Sequence, residues 1–125
     1  MNKPTILIVD DEEYIAELLS ELLVDELGCE VISALNGASA LALAQQHLPT
    51  LVITDLMMPR MDGRAFVRSL RADARFNEVP IITMSAARQK PQWVEDEDFF
   101  FIAKPFETDE LIQVVRGLLE TADDG

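Results

Sequence analysis

Five side chains in this 125-residue sequence have the types and placement to do chemistry together. Asp10 and Asp11 stand directly after Thr5-Ile6-Leu7-Ile8-Val9, and Asp55 ends Leu51-Val52-Ile53-Thr54-Asp55. Ser85 follows the apolar run from Val79 to Met84, and Lys104 comes just after Phe99 to Ile102. Each closes a short apolar run, which is the pattern of a buried strand emerging at its carboxyl end. If those ends share one edge, three carboxylates face one another. Two unit charges about 4 Å apart repel by roughly 4 kcal/mol at an effective dielectric of 20. Protons or a divalent cation must relieve that repulsion. A hard, oxygen-loving ion that keeps several waters, Mg²⁺, fits a solvent-facing acid cluster. Ser85 adds a hydroxyl donor and Lys104 an ammonium, so the set can hold a tetrahedral phosphoryl group. Asp55 is then the nucleophile, and an aspartyl phosphate the product.

The elements between these residues are the ones that would gather them. Ile15, Leu18, Leu19, Leu22, Leu23 and Leu27 recur at helical spacing, and Gly28 sits where a C-cap belongs. Cys29 to Ala34 alternates as a second strand. Asn36 to His47 is rich in Ala and Leu and stops at Leu48-Pro49. Gly63 to Ala72 predicts a third helix with Phe66, Val67 and Leu70 on one face. The last helix begins near Thr108 and buries Leu111, Ile112, Val115, Leu118 and Leu119. Of Phe99, Phe100 and Phe101, two are expected to be core alone. From Arg88 to Asp98 the periodicity weakens and Pro91 interrupts it, so a helix after the fourth strand is expected to be short or missing. Five apolar strands alternating with helices predict an α/β fold, a doubly wound five-stranded parallel sheet covered on both faces. All strand ends of such a sheet lie on one edge.

Composition narrows the function. The formal net charge of −13 repels phosphate backbones and anionic membranes, which disfavours direct nucleic-acid contact. Cys29 is the only cysteine, so no internal disulfide is possible. No apolar run approaches membrane-spanning length, and Met1-Asn2-Lys3-Pro4 leads straight into a strand without room for a signal peptide. The expected location is the cytoplasm. No glycine-rich phosphate loop is present, which disfavours ATP or NAD as direct substrate. His47, near a helix end, reads as a surface or capping residue.

Asp10-Asp11, Asp55 at a strand end, Met57-Met58-Pro59 with Asp62-Gly63, Ser85-Ala86 and Lys104-Pro105-Phe106 together resemble the receiver domain of two-component response regulators. The resemblance covers essentially the whole chain, in order and spacing. It implies a flavodoxin-like fold over residues 1–125 as one receiver domain, with no effector domain. It implies that Asp55 is the phosphoacceptor, that Asp10, Asp11 and Asp55 hold Mg²⁺, and that the Met57 backbone carbonyl completes the protein ligands. Ser85 would be the switch hydroxyl, Lys104 the phosphate-binding cation and Phe101 the switch aromatic, with a cis Lys104-Pro105 bond. The donor would be a phosphohistidine on a histidine kinase or histidine phosphotransfer protein, and the output an unidentified downstream protein. Such a module catalyses only its own phosphorylation and dephosphorylation, so it is not an enzyme in the usual sense.

The sequence departs from that family at several points. The segment between Ser85 and Lys104 is shorter than usual, and Glu97-Asp98 replaces a small Gly-Ala pair. Phe101 lacks a tyrosine hydroxyl, so switching there would rest on packing. Met57 sets a bulky apolar side chain beside the path of attacking water, which predicts slow loss of the phosphoryl group. Two alternatives stand beside the signalling module. One is a non-switching receiver-like interaction scaffold. The other is a metal-dependent phosphohydrolase, which would need a further acid to activate water; none appears beyond the acid pair.

Overall fold

The computed structural model describes residues 3–56, 63–85 and 100–124. Its elements run β1 (Thr5–Val9), α1 (Glu13–Leu27), β2 (Glu30–Ala34), α2 (Gly37–His47), β3 (Leu51–Asp55), α3 (Gly63–Ala72), a 3₁₀ turn (Ala74–Phe76), β4 (Ile81–Ser85), β5 (Phe100–Ala103) and α4 (Thr108–Asp124). The strands form one parallel sheet in the order β2-β1-β3-β4-β5. This is the five-stranded parallel sheet that the alternation of strands and helices predicts, in the flavodoxin-like form that the receiver resemblance implies. β3 and β4 are buried at every position, because helices cover both faces of the sheet.

Alternation along each strand divides the core in two. Leu7, Val9, Val52 and Ile81 pack with Ala40 and Ala44 of α2 and Phe66, Val67 and Leu70 of α3. Ile6, Ile8, Ile53 and Met84 point the other way, against Leu19 and Leu23 of α1 and Leu111 and Val115 of α4. The helix ends follow their sequence. Gly28 has φ 64° and its N–H closes on the Val24 carbonyl, while the Asn36 side chain accepts the Ser39 N–H at 2.9 Å. α2 ends less comfortably: Leu48 takes φ 50°, a left-handed conformation that places Cβ against the backbone.

The structure shifts several expectations. β2 begins at Glu30, with Cys29 buried just ahead of it. β4 starts at Ile81 and extends through Ser85, and β5 continues to Ala103, one residue past its expected end. Phe100 is 47% exposed rather than core: β5 is the edge strand, and none of the described helices covers that end of it. Leu18 is also exposed, so the buried stripe of α1 is Ala16, Leu19 and Leu23. The 3₁₀ turn was not legible as an element. The Asp73 side chain accepts the Arg75 N–H at 3.0 Å, Arg71 Nη1 donates to the Phe76 carbonyl at 2.7 Å, and Phe76 is buried. The expected short or missing helix at Arg88–Asp98 lies outside the described residues, as does Phe99. Among the described residues, no helix is long and apolar enough to cross a membrane.

Candidate functional site

The sheet reverses its winding between β1 and β3, since β2 lies to one side of β1 and β4 and β5 lie beyond β3. The helices that follow β1 and β3 therefore pack on opposite faces of the sheet, the topology that opens a crevice at the strands' carboxyl ends. Asp10 and Asp55 stand there. The Asp10 N–H still donates to the Ala34 carbonyl of β2, at 3.1 Å, which continues the sheet one residue past β1. Its carboxylate accepts the Glu12 N–H at 2.9 Å, turning the chain into α1. Asp10 is fully buried, Asp55 is 5% exposed and Asp11 is open to solvent. One oxygen from each of the three carboxylates lies within 4.8 Å of the others.

Lys104 arrives from the far edge. Its backbone N–H donates to the Ser85 carbonyl at 2.8 Å, so the β4–β5 ladder sets where the lysine emerges. From there Nζ donates to Asp10 Oδ2 at 2.9 Å and Asp55 Oδ2 at 3.1 Å. The Lys104-Pro105 bond is cis. Burial pushes the Lys104 ammonium down, but its hydrogen bonds to Asp10 and Asp55 outweigh that, and the group is held above its ordinary value. Burial raises Asp10 above the usual carboxylate range even against the Lys104 and Glu12 hydrogen bonds, with Asp55 adding to the rise. One ammonium facing three carboxylates leaves the cluster short of positive charge. A divalent cation matches that deficit and the all-oxygen donor set.

Of the residues singled out by sequence, Asp10, Asp11, Asp55 and Lys104 converge directly. Ser85 ends β4 on the same edge, 2% exposed and paired in register with Ala103. Phe101 sits further back on β5, half-buried against the α2–α3 side of the core. Met57 lies outside the described residues. Two contributors were not singled out as site residues. A Cβ on Gly63 would come within 2.5 Å of the Asp55 carbonyl oxygen and 2.6 Å of the Leu56 Cα, so only glycine lets α3 start this close behind the acid. The Asp62-Gly63 pair was its signal in the sequence. Thr83 is buried in β4 and its hydroxyl donates to the Phe100 carbonyl at 2.7 Å, pinning the edge strand beside Phe101. A hydroxyl inside an apolar strand was the only trace of it.

The family profile described as the response regulator receiver domain matches residues 6–116. The chain belongs to the response regulator receiver family. Relatives and neighbours agree with this receiver assignment. The chain is 39% identical to the response regulator Rre1 of Synechocystis over 92% of its own length and 51% of that protein's. It is 35% identical to the Synechocystis transcriptional regulator RpaA, over 96% of this chain and 51% of that one. It thus spans about half the length of these curated relatives. Among solved structures, the chemotaxis protein CheY4 of Vibrio cholerae superimposes with a TM-score of 0.86 at 29% identity, covering 94% of this chain and 99% of that one. As a receiver, this chain is a phosphoacceptor signalling domain. Receivers interact with histidine kinases or phosphotransfer proteins and typically bind Mg²⁺ at an acidic pocket, and the three-aspartate cluster is compatible with such binding.

Proposed function

We propose that Asp55 accepts a phosphoryl group from a phosphohistidine on a histidine kinase or phosphotransfer protein, and that the receiver then reports its state to a downstream protein. A carboxylate oxygen of Asp55 forms the new bond to phosphorus while the bond to the imidazole nitrogen breaks; that nitrogen keeps the electron pair and takes up a proton. The observation that carries this is Lys104 Nζ, held at 3.1 Å from Asp55 and 2.9 Å from Asp10 at the sheet's carboxyl edge. An ammonium so placed can neutralise phosphoryl oxygens arriving on Asp55.

The same reading assigns Asp10, Asp11 and Asp55, with the Met57 carbonyl, to hold Mg²⁺. When bound, that ion would supply positive charge for the transferring phosphoryl oxygens. The chain's own residues do the rest. Asp10 holds Lys104 Nζ in place beside Asp55 through the 2.9 Å hydrogen bond. Ser85 offers its hydroxyl to a phosphoryl oxygen, and Phe101 responds by repacking against the α2–α3 core. No direct nucleic-acid contact is assigned to this unit, whose charge is −13.

Incubation with Mg²⁺ and a small phosphodonor, followed by intact mass measurement, tests this. One phosphoryl group per chain, dependent on Mg²⁺, is expected. No uptake would point instead to an interaction scaffold, and multiple turnover of the donor to a phosphohydrolase.

A further inference from the structure

Thr54 places a hydroxyl in the apolar centre of the sheet, one residue before Asp55. It is fully buried, and its register partners are Val9 on β1 and Thr83 on β4. Alternation turns it to the same side of β3 as Val52, toward α2 and α3, and turns Asp55 to the other. Valine has the same shape, favours a strand as well, and brings no polar atom that must be satisfied when buried. The hydroxyl is therefore accounted for by what it bonds. Thr83 spends its one hydroxyl proton on the Phe100 carbonyl at 2.7 Å, and Thr54 donates its own to the Asp55 carbonyl at 3.0 Å. That carbonyl and the Leu56 N–H belong to one peptide unit. The N–H donates to the Met84 carbonyl at 2.9 Å, so β4 holds one end of the peptide and Thr54 the other. The start of α3 closes on the same place. The Gly63 N–H donates to the Leu56 carbonyl at 3.1 Å, and Gly63 has no room for a Cβ against the Asp55 carbonyl. On the opposite side of the strand the Asp55 carboxylate meets Lys104 Nζ at 3.1 Å.

We propose that Thr54 is a positioning residue for phosphoryl transfer, its hydroxyl fixing the peptide that follows Asp55 so that the carboxylate stays aimed beside Lys104. This role rests on the reading of Asp55 as the acceptor. Thr54 acts through the backbone and does not meet the phosphoryl group. With its carbonyl unbonded, the peptide between Asp55 and Leu56 can rock about its flanking dihedrals and carry the Asp55 Cα–Cβ bond with it. Attack on phosphorus tolerates little such motion, because the rate falls steeply once a nucleophile leaves its attack geometry. The carboxylate is tethered to Lys104 on one side of the strand, and the hydroxyl supplies the matching tether on the other.

The rate of phosphoryl uptake from a small phosphodonor with Mg²⁺, followed by intact mass, tests this. Thr54→Val keeps the shape and removes the donor, and uptake should slow by about three- to tenfold, the worth of one hydrogen bond. Thr54→Ser keeps the donor and should restore the parental rate to within about twofold. Thr50→Val removes a hydroxyl at the other end of β3, where Thr50 donates to the Thr5 carbonyl at 3.1 Å, and should leave the rate unchanged. Equal slowing in Thr50→Val, or slowing that persists in Thr54→Ser, would overturn the proposal, since lost packing or stability then explains it. Asp55→Asn separates the two readings. No uptake by the parent, or uptake undiminished in Asp55→Asn, defeats Asp55 as acceptor and this role with it. An inert Asp55→Asn beside a Thr54→Val that reacts like the parent defeats the role of Thr54 alone. The Asp55 carbonyl ¹³C resonance gives a readout free of the reaction: it should move upfield in Thr54→Val and return in Thr54→Ser. No movement would overturn the hydrogen bond itself. Should Thr54→Val fail to fold, Thr54→Cys, whose thiol is a weak donor, takes its place. Slowing in the same direction is expected of it, and a parental rate would equally overturn the proposal.

Discussion

Replacing Asp10 by asparagine should make the metal-free protein more stable while removing most of its response to Mg²⁺. Asp10 is fully buried, with carboxylate oxygens of Asp11 and Asp55 within 4.8 Å and the Lys104 ammonium at 2.9 Å. At an effective dielectric of 20, each like-charge pair at that separation costs roughly 3–4 kcal/mol, and the attraction of Lys104 offsets roughly 5–6 kcal/mol. The neighbouring charges therefore nearly cancel, and burial, the largest cause, tips the balance against the charge despite the Lys104 and Glu12 hydrogen bonds. That agrees in sign with an Asp10 carboxyl held above its usual range. Asparagine keeps an oxygen for the Glu12 N–H and discards the charge, so a gain of about 1 kcal/mol is expected in urea denaturation with EDTA present. The sign with pH follows. A raised carboxyl ionises more readily in the unfolded chain, so the parent loses stability as pH climbs from the ordinary value of 3.8 through the folded value. The advantage of Asp10→Asn should accordingly shrink as pH falls toward 4. Saturating Mg²⁺, at about 100 times its dissociation constant, should add about 2.7 kcal/mol to the parent and far less to the variant. A variant less stable than the parent in EDTA, or equally stabilised by Mg²⁺, would refute the reasoning.

Gly63→Ala forces a Cβ to within 2.5 Å of the Asp55 carbonyl. A loss of about 1–3 kcal/mol by denaturation is expected, as for other overpacked sites, with phosphorylation slowed because α3 must move. Leu48→Gly relieves the left-handed conformation at φ 50°. It should raise stability by about 0.5–1 kcal/mol after the entropy of glycine in the unfolded chain is subtracted. Cys29 is buried and burial pushes its thiol up. It should resist a thiol reagent in buffer and react promptly in urea; prompt reaction of the native protein would show that its surroundings open readily.

The fold was legible because its signals are local and repeated. Strands such as Thr5–Val9 and Leu51–Asp55 are continuous apolar runs that end in acids, and only a parallel sheet covered on both faces buries such runs throughout. The convergence of Asp10, Asp55 and Lys104 followed from that topology, since the sheet brings its strand ends together whatever lies between them. What escaped depends on neighbours that the local sequence does not name. Phe100 belongs to an apolar triplet, and among the described residues its place at the start of an edge strand leaves it exposed. Leu18 fits the helical spacing of α1, yet the helix is rotated to bury Ala16 and Leu19 instead. Gly63 reads as an ordinary helix start until the Asp55 carbonyl is seen behind it. Thr83 carries no sign that its hydroxyl reaches across to β5. The helix boundaries shifted least where a cap fixes them, Asn36 with its side chain and Gly28 with the left-handed backbone that glycine permits.

The central claim, that Asp55 is the acceptor, is tested most directly by trapping the acyl phosphate with borohydride. Reduction converts a phosphorylated aspartate to homoserine, which peptide mass spectrometry can assign to a position. Treatment after reaction with Mg²⁺ and a phosphodonor should place homoserine at residue 55 alone, and Asp55→Asn should yield none. Homoserine at Asp10 or Asp11, or undiminished phosphorylation of Asp55→Asn, would contradict the account.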